Sequence, residues 1–107
     1  IEQNTFYLCS ELKSFIIPKN SSLNSISSNA FGFCSKLQSF PIPNDISFIG
    51  ISAFDQCIKL QKFFYFGKRE PEIIRNPFSG CKNLKEIYVT NLYPNDSFCS
   101  IKVSFIN

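Results

Sequence analysis

The stretch Ala30–Pro43, AFGFCSKLQSFPIP, decides the fold, because the chain keeps rewriting it. Counting from Phe31, Cys34 follows at three residues, Leu37 at six, Phe40 at nine and Ile42 at eleven. From Phe54 the same offsets give Cys57, Leu60, Phe63 and Tyr65; from Phe78 they give Cys81, Leu84, Ile87 and Val89; from Phe6 they give Cys9, Leu12, Phe15 and Ile17. The starting phenylalanines lie 25, 23 and 24 residues apart. Self-similarity at a nearly fixed period of this size marks a solenoid of stacked supersecondary units.

The bulk numbers agree with a folded repeat domain. At 107 residues, 44% apolar and 18% charged, the chain is one domain or a piece of one, and too apolar to be disordered. Seven of its 13 phenylalanines (Phe6, Phe15, Phe31, Phe40, Phe54, Phe63 and Phe78) fall on repeat positions, so the aromatic excess is mostly core. The sequence has no Met and begins mid-repeat: Ile1 precedes Phe6 by five residues, as Ile26 precedes Phe31. A segment of a longer protein is therefore expected, one in which no signal peptide or anchor would be looked for. No run of about 18 apolar residues spans a membrane. The net charge of +3 is mild and dispersed, which argues against nucleic acid as partner.

Each repeat divides into three pieces. Leu37–Ile42 (Leu-x-x-Phe-x-Ile) alternates buried positions with a β-branched and aromatic bias, the pattern of a short strand. Pro18 or Pro43 ends it, before polar turn residues such as Asn44-Asp45. A short apolar pair follows, Leu23 with Ile26 or Ile46 with Ile49, which predicts a small extended segment. Last comes Asn29–Cys34, whose three-residue Phe–Cys spacing predicts one turn of 3₁₀ or α-helix. No repeat can bury its apolar face alone, so neighbours must stack and their strands form a parallel ladder. The predicted class is α/β: a leucine-rich-repeat solenoid of about four rungs, with a ladder on one side and helical turns and extended segments on the other.

The pattern Ala-Phe-x-x-Cys-x-x-Leu-x-x-Phe/Ile-x-Ile-Pro resembles the BspA-like (treponemal-type) leucine-rich repeat family, and Phe78-Ser79-Gly80-Cys81-Lys82-Asn83-Leu84 resembles its central signature almost letter for letter. The resemblance covers Ile1 to Thr90, with the first rung truncated. It implies a horseshoe-like or gently curved solenoid in a surface-displayed or secreted protein that binds host or partner proteins. The rungs depart from the pattern in two respects. The third has Tyr65-Phe66-Gly67 and then Lys68-Arg69-Glu70-Pro71-Glu72 in place of the Ile-Pro ending, and the Ile-Gly pair that completes the family pattern six residues on is present in the second rung alone, as Ile49-Gly50. Residues 91–107 fall out of phase, with Phe98 and Cys99 adjacent, and form a degenerate last rung, a cap or the end of a longer array.

Four of the five cysteines (Cys9, Cys34, Cys57 and Cys81) share one repeat position and should form a column. Rungs about 4.8 Å apart spread that column too far for one ion, since zinc thiolates sit about 2.3 Å from a common centre. No metal and no cofactor is expected. A disulfide between adjacent rungs is compatible with Cα spacing, but buried thiols that reach the next backbone are the preferred reading. Cys99, out of phase, is the thiol expected to be reactive. With no His, scattered carboxylates and no Gly-rich phosphate loop, the chain is not expected to be an enzyme.

Binding is the function the geometry favours. If offsets nine and eleven point inward, offsets eight, ten and twelve point out onto the strand-lined face. Offset ten reads Ile16, Pro41, Phe64, Tyr88, with no charge in it; offset eight reads Ser14, Ser39, Lys62, Glu86; offset twelve reads Pro18, Pro43, Phe66, Thr90. An apolar stripe with polar flanks marks a protein-binding face, and Ile16, Pro41, Lys62, Phe64, Phe66, Glu86 and Tyr88 are its candidate residues, although strands favour such residues for their own sake. Lys13, Lys36, Lys59, Lys82 and Lys85 make a basic edge, which is either a solvated face or a site for acidic partners. Asn20-Ser21-Ser22 and Asn95-Asp96-Ser97 are N-glycosylation sequons. The expected function is an adhesion or host-interaction module engaging a host surface or matrix protein. The alternatives are a structural spacer and an intracellular scaffold segment, for which the cysteine column is equally suited. An uncapped first rung also predicts end-to-end self-association.

Overall fold

The Leu-x-x-Phe-x-Ile segments form strands, and their alternation sets the register. The structure, a computed structural model, describes residues 1–106; Asn107, at the end of the expected terminal segment, lies outside them. The strands are β1 (Ser25–Ile26), β2 (Ser39–Ile42), β3 (Phe48–Ile49), β4 (Lys62–Tyr65), β5 (Glu72–Ile73), β6 (Ile87–Val89), β7 (Ser97–Phe98) and β8 (Ile101–Phe105). They make two sheets, ordered β1-β3-β5 and β2-β4-β6-β8-β7, parallel except for the β7–β8 pair. The register matches repeat positions: Phe40 lies opposite Phe63 and Phe63 opposite Ile87.

Between the sheets the phenylalanines interlock. Phe6, Phe31, Phe54 and Phe78 stack in one column, with centroids 5.1, 5.4 and 5.5 Å apart. Phe15, Phe40 and Phe63 stack in a second, at 5.8 Å for each step. The columns meet edge to face, Phe31 on Phe40 at 4.8 Å and Phe54 on Phe63 at 5.3 Å. Every ring thus has face and edge partners, the arrangement its quadrupole favours. Phe31, Phe40, Phe54 and Phe63 are fully buried. Phe6 and Phe15, in the first repeat, are only half-buried because they have a neighbour on one side alone.

The expected helical turns are absent: no helix occurs among the described residues, and the α/β expectation gives way to a fold of strands and turns. Asn29–Cys34 is instead a string of overlapping turns in which successive amides part company. Those of Ala30, Gly32 and Cys34 close local turns on Ser27, Asn29 and Phe31. Those of Asn29, Phe31 and Phe33 donate to Ile51, Ala53 and Asp55 in the next repeat. The Phe6 repeat does the same, with Asn4, Phe6 and Leu8 donating to Ser28, Ala30 and Gly32. A helix would direct every amide back into its own segment and leave the neighbour's carbonyls buried without partners. The alternation requires left-handed residues, at φ 64° for Leu8, 58° for Phe33, 58° for Gln56 and 79° for Gly80, all two residues beyond the repeat phenylalanine. Only the last of these is a glycine.

The sequence departures have local causes. Tyr65 takes the position held by Ile42 and Val89. Its ring is fully buried, and its hydroxyl donates to the Arg69 carbonyl at 2.6 Å and accepts from the Ile46 amide at 3.2 Å. Gly67 follows because a Cβ there would run into the Tyr65 ring. Gly50 donates to Ile26 at 2.7 Å and packs so closely on Ser27 and Ser28 that a side chain would strike their backbone. In the first repeat the strand shrinks to a single bridge between Ser14 and Ser39. The cause lies one repeat on: Phe66 donates to Ile42, but the residues matching Phe64 and Phe66 there are Pro41 and Pro43, which have no amide to give.

Beyond Val89 the ladder continues although the offsets of the earlier repeats are lost. β8 pairs with β6 in parallel, Ile87 opposite Val103, a step of sixteen residues. β7 turns back antiparallel along its outer side through Cys99 and Ser100, at φ 54° and 65°. Two left-handed central residues are the type I′ hairpin pattern. Phe98, fully buried, lies 5.9 Å from Phe63 and 5.4 Å from Tyr65. The described residues extend over 33 × 28 × 24 Å.

Two substitutions test this account. Phe54→Ala, in the middle of the interlocked columns, should cost about 3–5 kcal/mol in urea unfolding. Leu8→Gly should raise stability by about 1 kcal/mol by relieving a left-handed residue, whereas Leu8→Ala, which removes the same exposed side chain without that relief, should not.

Candidate protein-binding face

Alternation along β2, β4 and β6 puts every second side chain outside. Pro41 lies opposite Phe64 and Phe64 opposite Tyr88, so these candidates form one row across the sheet; the register then brings Ser104, where the apolar row ends. Ile16 extends the row into the first repeat and is 73% exposed. The Phe64 and Tyr88 rings stack at 5.1 Å, and Phe64 also stacks on Phe66, two residues along its own strand, at 6.0 Å and 4° from parallel.

The structure groups the candidates into two overlapping sets. Phe64, Phe66 and Tyr88 make the aromatic stack. Ile16, Pro41 and Phe66 line a trough of about 610 Å³ together with Pro18, Pro43 and Lys19. Lys62 and Glu86 sit at the starts of β4 and β6, Lys62 exposed and Glu86 half-buried; the ion pairs among the described residues are elsewhere, Lys36–Glu11 and Arg69–Asp45. Pro18, Pro43 and Lys19 were not among the sequence candidates. The offset-twelve prolines were the available signal, but the depth of a trough depends on what stands on either side of it.

The basic edge is not uniform. Lys36 is committed to Glu11 at 2.9 Å, and at the corresponding position two repeats later Asn83 donates instead to the Ile58 carbonyl at 2.7 Å. Both sequon asparagines are exposed, Asn20 in a turn and Asn95 with its amide donating to Glu70 at 2.6 Å. A second exposed apolar group lies on the turn side, where Tyr7 meets Phe33 edge to face at 5.8 Å beside Leu8.

The cysteine column is a hydrogen-bonded line of free thiols. Cys34, Cys57 and Cys81 donate to the carbonyls of Phe6, Phe31 and Phe54, at 3.2, 3.2 and 3.0 Å. Burial, with a smaller effect of Cys9, pushes Cys34 up to about 11. Hydrogen bonding with the Cys81 thiol and burial hold Cys57 well above the usual thiol range. Cys99 departs from its expected reactivity. Burial and the Glu70 carboxylate raise its pKa, which suppresses the thiolate, and its thiol faces Asn76 Oδ1 at 3.8 Å.

A model of the BspA type leucine rich repeat region matches residues 1–107 in six copies. No curated protein matches the chain. No solved structure matches it.

The thiol line makes stability depend on pH. Cys34 has a folded pKa near 11 against an ordinary value of 9.0, so above pH 9 the unfolded chain loses its proton first. Urea midpoints should be flat between about pH 6 and 8 and fall between pH 9 and 11, and a Cys34→Ala variant should fall less steeply over that window.

Proposed function

Because the chain belongs to the BspA type leucine-rich repeat family, we propose that it is a non-enzymatic protein-binding repeat module that engages its partner through the strand-lined face. The observation that carries this reading is the aromatic stack. The core between the sheets is filled by its own phenylalanine columns, so Phe64, Phe66 and Tyr88 are not needed there, and all three stand on the outer side of the sheet. Aromatic side chains are enriched at interface cores, where a few of them carry most of the binding energy. Ile16 and Pro41 extend this apolar row, with Lys62 and Glu86 as its polar margin. The repeats stack as a solenoid of about four rungs through Thr90, and residues 91–107 form its terminal segment.

Such repeats are often found in surface or secreted proteins, and the role proposed here is adhesion or host interaction outside the cell, with a host surface or matrix protein as partner. No helix among the described residues is long and apolar enough to cross a membrane. Asn20 and Asn95 then serve as glycan acceptors, and occupancy is expected to be higher at Asn20, because Asn95 is engaged by Glu70.

The test uses the full-length protein and its Phe64→Ser/Tyr88→Ser double variant, each immobilised and exposed to host surface and matrix proteins. Removal of two aromatic anchors should weaken capture by about 30-fold or more, while unfolding stability changes by no more than about 0.5 kcal/mol per site. Equal capture by both proteins would refute the strand-face reading. Mass spectrometry of the native protein checks the location separately: glycans at Asn20 place it outside the cell, and unmodified sequons on an unprocessed chain refute secretion.

A further inference from the structure

The strand face has a shape that selects among partners. The second repeat contributes only short, rigid Pro41 and Pro43, while the first raises Ile16 and Pro18 and the third raises Phe66. Paired parallel strands lie about 4.8 Å apart, and with the first repeat held to the second at the Ser14–Ser39 bridge the two walls start roughly 9.6 Å apart at their Cα atoms, with a proline floor between them. The Phe66 ring forms the wall on that side, and the Phe64 ring stacks behind it along the strand, 4° from parallel with centroids 6.0 Å apart.

Three physical constraints narrow the occupant. An α-helix with side chains is about 10–12 Å across, too wide to sink between walls whose side chains narrow the gap further. An extended chain fits. The floor and the rim at Pro18 are prolines without amides, so an occupying β-strand would find no N–H donors along them for its C=O groups. A polyproline II segment has no such requirement, because it makes no internal hydrogen bonds and keeps its backbone in water. Its rings and apolar side chains can pack against Pro41, Pro43 and the Phe66 ring without displacing anything polar, and it is ordered before it binds. Charge supplies the third constraint. Lys19 lines one end of the trough, and Lys62 precedes Phe64 on the same face.

We propose that the trough binds an extended proline-rich peptide segment in the polyproline II conformation, lying along the strands with an acidic residue beside Lys19. This rests on the strand-face reading and names the partner chemistry for it. The recognition elements are the Pro41–Pro43 floor, the Phe66 wall and the Lys19 ammonium.

The probe is a fluorescein-labelled peptide, Glu-Pro-Pro-Leu-Pro-Pro-Leu-Pro-Pro-Leu, titrated with the full-length protein and read by fluorescence anisotropy. Saturable binding is expected. It should fall at least tenfold when the peptide's Glu becomes Lys, at least tenfold for an alanine-leucine helix-forming peptide of equal length and charge, and at least tenfold for Phe66→Ser. The Lys19→Glu variant should prefer the Lys-bearing peptide. Equal binding of the helix-forming and proline peptides, or no change on reversing the charge at residue 19, overturns the proposal. If no proline peptide binds while capture of host protein still depends on Phe64 and Tyr88, the occupant is wrong and the strand-face reading stands. If neither is observed, both fall.

Discussion

The structure depends on how the turn segments divide their peptide groups. A buried amide must find a partner, and here successive amides take two kinds, one closing a local turn and the next crossing to the following repeat, as Gly32 and Phe33 do. The stitching holds the repeats at backbone distance, and the phenylalanine columns fill the space it defines. Cys34, Cys57 and Cys81 belong to the same system, since their thiols supply donors to the repeat phenylalanine carbonyls of the preceding repeat. The price is conformational: Leu8, Phe33 and Gln56 are held left-handed without being glycine.

Because the core is completed from within, the outer side of the sheet is under little structural obligation. Pro41 and Pro43 illustrate this. A proline inside a ladder normally costs a hydrogen bond, and here the loss falls on the first repeat, whose strand is reduced to the Ser14–Ser39 bridge. The same two residues give the face its low floor. A local weakness in the ladder and the relief of the surface therefore have one cause.

Much of this was legible in the sequence. The positions of Phe31, Cys34, Leu37, Phe40 and Ile42, and their counterparts around Phe54, marked the core, the strands and their register, because burial recurs at fixed offsets. The helical turn did not hold. A three-residue spacing is shared by 3₁₀ helix and by overlapping turns, and only Gly80 among four equivalent residues carries the glycine that would have pointed to left-handed backbone. The continuation through β8 was hidden because the step from Ile87 to Val103 is sixteen residues and the hairpin residues, Cys99 and Ser100, lack the usual Asn-Gly signature. For the face, the row from Ile16 to Tyr88 could be read from alternation alone. The trough could not, since it arises from differences in side-chain height across three repeats.

The interrepeat bonds of the turns all run the same way, from the amide of one repeat to the carbonyl of the next, and the thiols run opposite, from each cysteine to the repeat before. In lattice terms the turn column is a one-dimensional crystal with a polar unit cell. Duplicating or deleting one whole cell at the level of the gene re-creates every bond across the junction, because the new neighbours offer the same donors and acceptors at the same offsets. Losing a single residue shifts the alternation by one and sets amide against amide along the column. Such an architecture can vary in length freely by units of the repeat, and within one only outside the turn segment, where steps of 25, 23 and 24 residues are accommodated.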